Sequence, residues 1–221
     1  MPPILFADHR FVVLDKPAGL AVHPGPRGGP SVEDWFPALR RGRDGPWLAH
    51  RLDADTAGCL VVALRRTALQ EAQRAFAEGR ARKTYWAVVR GAPSGERGRI
   101  DAALAKRTSK AGWRMVVDPA GQPASTSWRI LGRSQGLAWL ELHPATGRTH
   151  QIRVHCAHLG CPVLGDPIYG GGEGRLHLLA RAIALPLTPR LDATAPLPPH
   201  MRATLAACGW SWVESSVSEQ I

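Results

Sequence analysis

Six short apolar runs, rich in β-branched and aromatic residues, constrain this fold more than any other feature. They are FVVL at 11–14, CLVVAL at 59–64, YWAVV at 85–89, RMVV at 114–117, TSWRIL at 126–131 and AWLEL at 138–142. Gly, Pro or Asp bounds most of them, the pattern of strands joined by turns. Trp113, Trp128 and Trp139 fall inside strand patterns and are expected in the core. Helical spacing is rarer. In RTALQEAQRAFAEG (66–79), Leu69, Ala72 and Phe76 share one face and Gly79 supplies a stop. In THQIRVHCAHLG (149–160), Ile152, Cys156 and Leu159 form an apolar stripe before Gly160, and PHMRATLAACG (199–209) begins at a proline pair and ends at Gly209. Strands in succession with helices placed irregularly predict an α+β fold: a mixed, largely antiparallel β-sheet with flanking helices. There is no internal repeat or long polar linker, so residues 1–212 are expected to form one domain. Residues 213–221, VESSVSEQI, lose apolar patterning and read as a flexible tail.

Charge narrows the partner. Lys and Arg total 28 against 18 Asp and Glu, a net charge of +10, and the cations are nearly all arginine. Guanidinium forks match phosphate oxygens and stack on bases, which favours a polyanionic partner. An arginine bias also arises from genome composition, so charge alone decides nothing. Cys59, Cys156, Cys161 and Cys208 make no closely spaced framework, and the apolar N-terminal stretch is broken by Asp8, His9 and Arg10. Neither a secreted scaffold, a signal peptide nor a membrane span is indicated, and a reducing cytoplasm is the natural setting.

The stretch WLAHRLDADTAGCLVV, residues 47–62, sets Asp53 and Asp55 behind His50 and Arg51. DADT fits the D-x-D-x-T signature of phosphohydrolases, in which one Asp attacks phosphorus beside Mg²⁺. That motif normally follows a buried hydrophobic strand, and burying His50 and Arg51 in one is costly. The downstream acids Asp101, Asp118 and Asp166 are scattered and offer no second acidic pair. Asp55 is explained by an Asx-type turn before the strand. Asp53, beside two bases in a loop feeding a strand, is placed where functional side chains are often presented.

HRLDADTAGCLVVAL resembles the H-R-L-D-x-x-T-S-G-L signature of the RluA-type pseudouridine synthases, which isomerise uridine in RNA. VVLDKPAGLAVHPG resembles that family's first strand and K-P-x-G turn, and RKTYWAVVRG its K-x-Y-x-A-x-V-x-G segment. HPATGRTHQIRVHCAHLGCPVLGDPIYG resembles its T-G-R-T-H-Q-I-R-V-H and G-D-x-x-Y-G block. Four motifs in order are far more specific than one. The resemblance implies a catalytic carboxylate at Asp53, with Arg153 as its cationic partner. It also implies Tyr85 stacking on the extruded uracil, and Arg51 entering the space the base vacates, with His50, Arg148 and His150 beside it on the RNA-facing side. It further implies structured rRNA or tRNA as substrate, no cofactor or metal, no membrane and no obligate protein partner, hence a monomer. With the first motif so near the N-terminus, no S4-type RNA-binding domain is expected. The arginines at 40, 41, 43, 65, 66, 80 and 82 then serve RNA contact. A variant that binds RNA without isomerising it remains an open alternative, as does the phosphohydrolase.

His150, His155, Cys156, His158 and Cys161 crowd one stretch, yet on a helix His155 and Cys156 diverge by about 100°, and no CxxC pair exists, so a metal site is not expected. Two positions depart from the family pattern. Ala57 stands where T-S-G has Ser, and Leu179 stands where R-L-x-L-H-A has His.

Overall fold

A computed structural model describes residues 1–25, 28–109 and 112–211; the expected tail at 213–221 lies outside them. The chain opens with strands β1 (Ile4–Ala7) and β2 (Phe11–Lys16), a 3-10 turn at Val32–Trp35 and a short helix α1 (Phe36–Leu39). Then come β3 (Trp47–Leu48), β4 (Ala57–Ala63), helix α2 (Arg66–Ala77), β5 (Arg82–Arg90) and β6 (Arg97–Asp101). Next are β7 (Leu104–Ser109), β8 (Gly112–Val117), β9 (Ser125–Ser134) and β10 (Leu137–Pro144). Helix α3 (Gln151–His158), β11 (Leu178–Leu185), β12 (Leu191–Thr194) and helix α4 (Pro199–Ala207) complete the order.

Ten strands make one mixed sheet in the order β1-β2-β4-β11-β5-β10-β9-β6, with β12 on β11 and β3 on β4, while β7 and β8 form a separate two-stranded ribbon. All pairs are antiparallel except β4 with β11. The α+β sheet expected from the runs is the one observed.

β4 explains how a continuous apolar run serves a sheet covered on both faces. Ala57, Cys59, Val61 and Ala63 point into one core with α2 and α4, while Leu60 and Val62 point into another with Val12, Leu14, Val32 and Leu39. Alternation at period two divides the run between two cores. The same alternation on β5 sends Trp86 to the first core and Tyr85 to the opposite face. Helix α2 packs closely because its buried face is Ala68, Ala72 and Ala75, and it ends before Gly79 at φ +67°.

The parallel junction is tight. Ala57 lies opposite Leu179 and Gly58 opposite Ala180. A Cβ on Gly58 would sit 2.3 Å from the Ala180 carbonyl oxygen, and its φ of +109° excludes most side chains in any case. The two departures from the family pattern are therefore partners. A fully buried Leu179 covers Ala57, so neither leaves a polar group unpaired.

Helix α3 differs from its expected form. It starts at Gln151, with His150 in the left-handed region at φ +53°, and Gln151 through Cys156 are all buried. The Ile152–Cys156–Leu159 stripe is one side of a helix enclosed by the sheet on one face and the ribbon on the other. Trp113 also differs: it is 46% exposed, whereas Trp128 and Trp139 are in the core.

Candidate active site

The loop between β3 and β4 presents Asp53 and is fixed from both sides. Lys16, at the end of β2, has no exposed surface. Its Nζ donates to the carbonyls of Pro17 (2.9 Å), Leu20 (2.8 Å) and Ala54 (2.7 Å). The Gly19 N–H donates to the same Ala54 carbonyl, and the Thr56 N–H closes a turn on the Asp53 carbonyl. Burial pushes the Lys16 ammonium down to about 8, against the pull of Asp55 and Asp53. On the other side His50 Nε2 accepts the Val61 N–H at 3.0 Å, which requires that nitrogen unprotonated. Burial, with Lys83 adding, pushes His50 down to about 4. Asp55 is exposed in the turn.

Opposite the loop stands Arg153, 2% exposed on α3. Its Nε and Nη2 donate in a two-pronged pair to Asp166 at 2.7 and 2.8 Å. Asp166 is fully buried and accepts two more bonds from the Ile168 and Tyr169 N–H groups. Burial alone would raise its carboxyl; the Arg153 bonds and charge and the two backbone donors outweigh that and hold it below the ordinary range. The Asp166 pair leaves Nη1 to face Asp53 Oδ2 at 3.6 Å, an ion pair longer than a hydrogen bond. Asp166 thus belongs to the site, not to the scattered acids with which the sequence groups it.

His150 Nε2 lies 3.9 Å from the same Asp53 oxygen. Its Nδ1 meets the Tyr169 hydroxyl at 2.9 Å, and the Met115 N–H donates to that hydroxyl oxygen at 3.0 Å. With the Met115 N–H on its oxygen, the Tyr169 hydroxyl can donate to Nδ1, and in that tautomer the imidazole hydrogen sits on Nε2, towards Asp53. Burial holds His150 below its usual range, with Asp53 opposing and Arg153 reinforcing the shift. The Arg153 guanidinium also lies over the Tyr169 ring, 5.3 Å from its centre.

Tyr85 forms the cleft wall from β5. Burial, reinforced by nearby Asp53, raises its phenol further, so the hydroxyl keeps its proton at neutral pH. Lys83 donates to the Thr146 carbonyl at 2.9 Å, and burial pushes it down to about 8. Arg148 reaches back to the Pro123 carbonyl at 3.1 Å, and Arg51 is exposed.

The cleft has a volume of about 320 Å³, and all seven candidates from the sequence line it: His50, Arg51, Asp53, Tyr85, Arg148, His150 and Arg153. Sequence reasoning missed Lys16, Lys83, Asp166 and Tyr169 as members of the site, although each lies inside a motif it quoted. His155 is engaged elsewhere, by Thr126 Oγ1 and the Ala102 carbonyl. Among the described residues no cluster of three or more His, Cys, Asp or Glu is arranged to hold a metal, and no helix is long and apolar enough to cross a membrane.

Residues 10–158 match the family described as RNA pseudouridylate synthase. The ribosomal large subunit pseudouridine synthase C of Haemophilus ducreyi is 36% identical, over 92% of this chain and 68% of that protein. The chain belongs to the RluA-type RNA pseudouridylate synthases. An uncharacterised RNA pseudouridine synthase of Zymomonas mobilis is 40% identical across 88% of this chain and 93% of its own length. The solved structure of human RNA pseudouridylate synthase domain containing 4 superposes with a TM-score of 0.79 at 29% identity, covering 93% of this chain and 92% of that one. Members of this family are RNA-modifying isomerases, and the phosphohydrolase reading of DADT is set aside.

Proposed function

We propose that this pseudouridylate synthase isomerises uridine in structured ribosomal or transfer RNA, with Asp53 as the catalytic carboxylate. The observation that carries the reading is the arrangement of Arg153. Asp166 occupies one edge of the guanidinium, and the free Nη1 faces Asp53, which is only 19% exposed. A carboxylate leaving water is disfavoured as an anion, and a fixed cation at this distance offsets that without tying up both oxygens.

The reaction breaks the N1–C1′ bond, turns the uracil over and joins C5 to C1′. The proton on C5 is lost and N1 gains one, so atoms balance without cofactor or metal. Asp53 serves the electron-poor anomeric centre, as carboxylates do in glycosidases. Tyr85, protonated, offers a ring to stack on the uracil and a hydroxyl able to donate. Exposed Arg51 enters the stack in place of the flipped base. The enzyme acts as a monomer in the cytoplasm.

The test is Asp53→Asn, assayed by tritium release from C5-labelled uridine in RNA. Turnover should vanish while RNA affinity stays within about threefold of wild type. Retained turnover removes Asp53 from the mechanism. Pseudouridine mapping of cellular RNA from a strain lacking the gene, restored with wild type or Asp53→Asn, would then identify the modified sites.

A further inference from the structure

The ribbon of β7 and β8 carries a feature that the chemistry of Asp53 does not use. Trp113 exposes 46% of its surface, yet its ring is not idle. It lies on the His150 imidazole with centres 5.2 Å apart and planes 25° from parallel. His150 lines the cleft and stands 3.9 Å from Asp53, so the indole lies one ring beyond the cleft lining. Lys106, exposed on the adjacent strand, holds its ammonium 4.9 Å from the indole centre.

The surroundings point to an anion. Arg107 and Arg114 lie directly opposite each other across the ladder, with Arg107 paired to Asp118. Asp118 already meets Arg107, and alternation puts both arginines on the ribbon face away from Trp113 and Lys106, so the cation that serves the indole is Lys106. Extruding a base from RNA also leaves its neighbour without a stacking partner. A partly exposed indole with a cation beside it matches such a nucleotide, because base–aromatic stacking accepts any base and the ammonium accepts the phosphate.

We propose that Trp113 and Lys106 form a nucleotide subsite, in which the base adjoining the target uridine takes the place of the Lys106 ammonium over the indole and its phosphate pairs with the displaced ammonium. This rests on the RNA reading above and deepens it.

The experiment uses the full chain and two dye-labelled probes, a single-stranded decauridylate and an oligomer of equal length whose riboses lack bases. Trp113→Ala should weaken decauridylate binding about tenfold while leaving the abasic oligomer at its wild-type affinity. Trp113→Phe, which keeps a ring, should restore most of the loss. Lys106→Ala should lower the slope of log affinity against log salt by about one. Unchanged decauridylate affinity in Trp113→Ala overturns the proposal. So does an equal loss on both oligomers, which would make Trp113 a cover for His150 and nothing more. Failure of the isomerase reading looks different: wild type would bind decauridylate and discriminate the probes as described, yet release no tritium from labelled cellular RNA.

Discussion

The polar network that sets the cleft and the β7–β8 ribbon next to it are built in opposite ways. The network around the acid and its partner is buried. Lys16 and Asp166 have no exposed surface, Arg153 has 2%, and each makes at least two hydrogen bonds. The β7–β8 ribbon supplies none of the described residues that line the cleft; it stands outside the main sheet, beside His150, and exposes Lys106, Arg107, Trp113 and Arg114. Reacting groups must hold position to a fraction of an ångström, and buried, fully bonded side chains do that. A surface meeting a long polyanion needs charge and stacking area that remain accessible. On the proposed reading, chemistry and grip are divided between regions with different rules for tolerating change.

The sharpest way to break that division is Asp166→Asn. It strips the counter-charge from a buried guanidinium, so the fold should lose about 3–5 kcal/mol. Turnover of the folded fraction should fall about a hundredfold as Nη1 loses its aim at Asp53. Chemical denaturation and single-turnover kinetics measure the two effects. A variant that lost RNA affinity but kept its rate would show that the buried network is not where chemistry is positioned.

His50 sharpens the comparison through pH. Its folded value of about 4 lies below its unfolded value of 6.5, so between these the unfolded chain binds more protons. The stability His50 contributes is full above pH 6.5 and is lost as pH falls towards 4, amounting to about 3 kcal/mol. Denaturation series across that range should show the slope in wild type and a flatter profile in His50→Gln. An identical slope in both would assign it to other groups.

The smallest effect belongs to the ribbon. Arg114→Ala should change folding stability by less than about 0.5 kcal/mol yet reduce the salt dependence of RNA binding by about one unit of slope. A large stability loss instead would mean the ribbon is a structural element like the buried network.

Legibility in the sequence follows the same divide. All six apolar runs lie in strands: β2 and β4 are apolar because the sheet is covered on both faces, whereas RMVV lies in the ribbon, where Met115 and Val117 pack against Val154 of α3. β6 (RGRID) and β7 (LAKRTS) are too charged to announce themselves; one is a sheet edge and the other lies in a ribbon, so pairing rather than burial defines them. β11 is masked by Arg181, whose guanidinium lies over Trp86 at 4.7 Å instead of in water. Trp113 misleads for a related reason. Alternation places it on one ribbon face, but a two-stranded ribbon has no second layer to bury most of it. The seven candidates that line the cleft were readable through the four motifs, whereas Lys83, which also lines it, was passed over. Asp166 was not, since an aspartate after glycine reads as a turn, and only the folded chain brings it against Arg153.

The seam between β4 and β11 carries a consequence in time. Asp53 and the residues that pair at Ala57 and Gly58 leave the ribosome long before Leu179 and Ala180, which close against them. Asp166 also follows the region that the family match covers. A nascent chain can therefore complete β2, β4 and the Asp53 turn while one flank of β4 is still open and Arg153 has no counter-ion. Asp53 is made well before Arg153, which faces it, and before Asp166, which holds Arg153 in place.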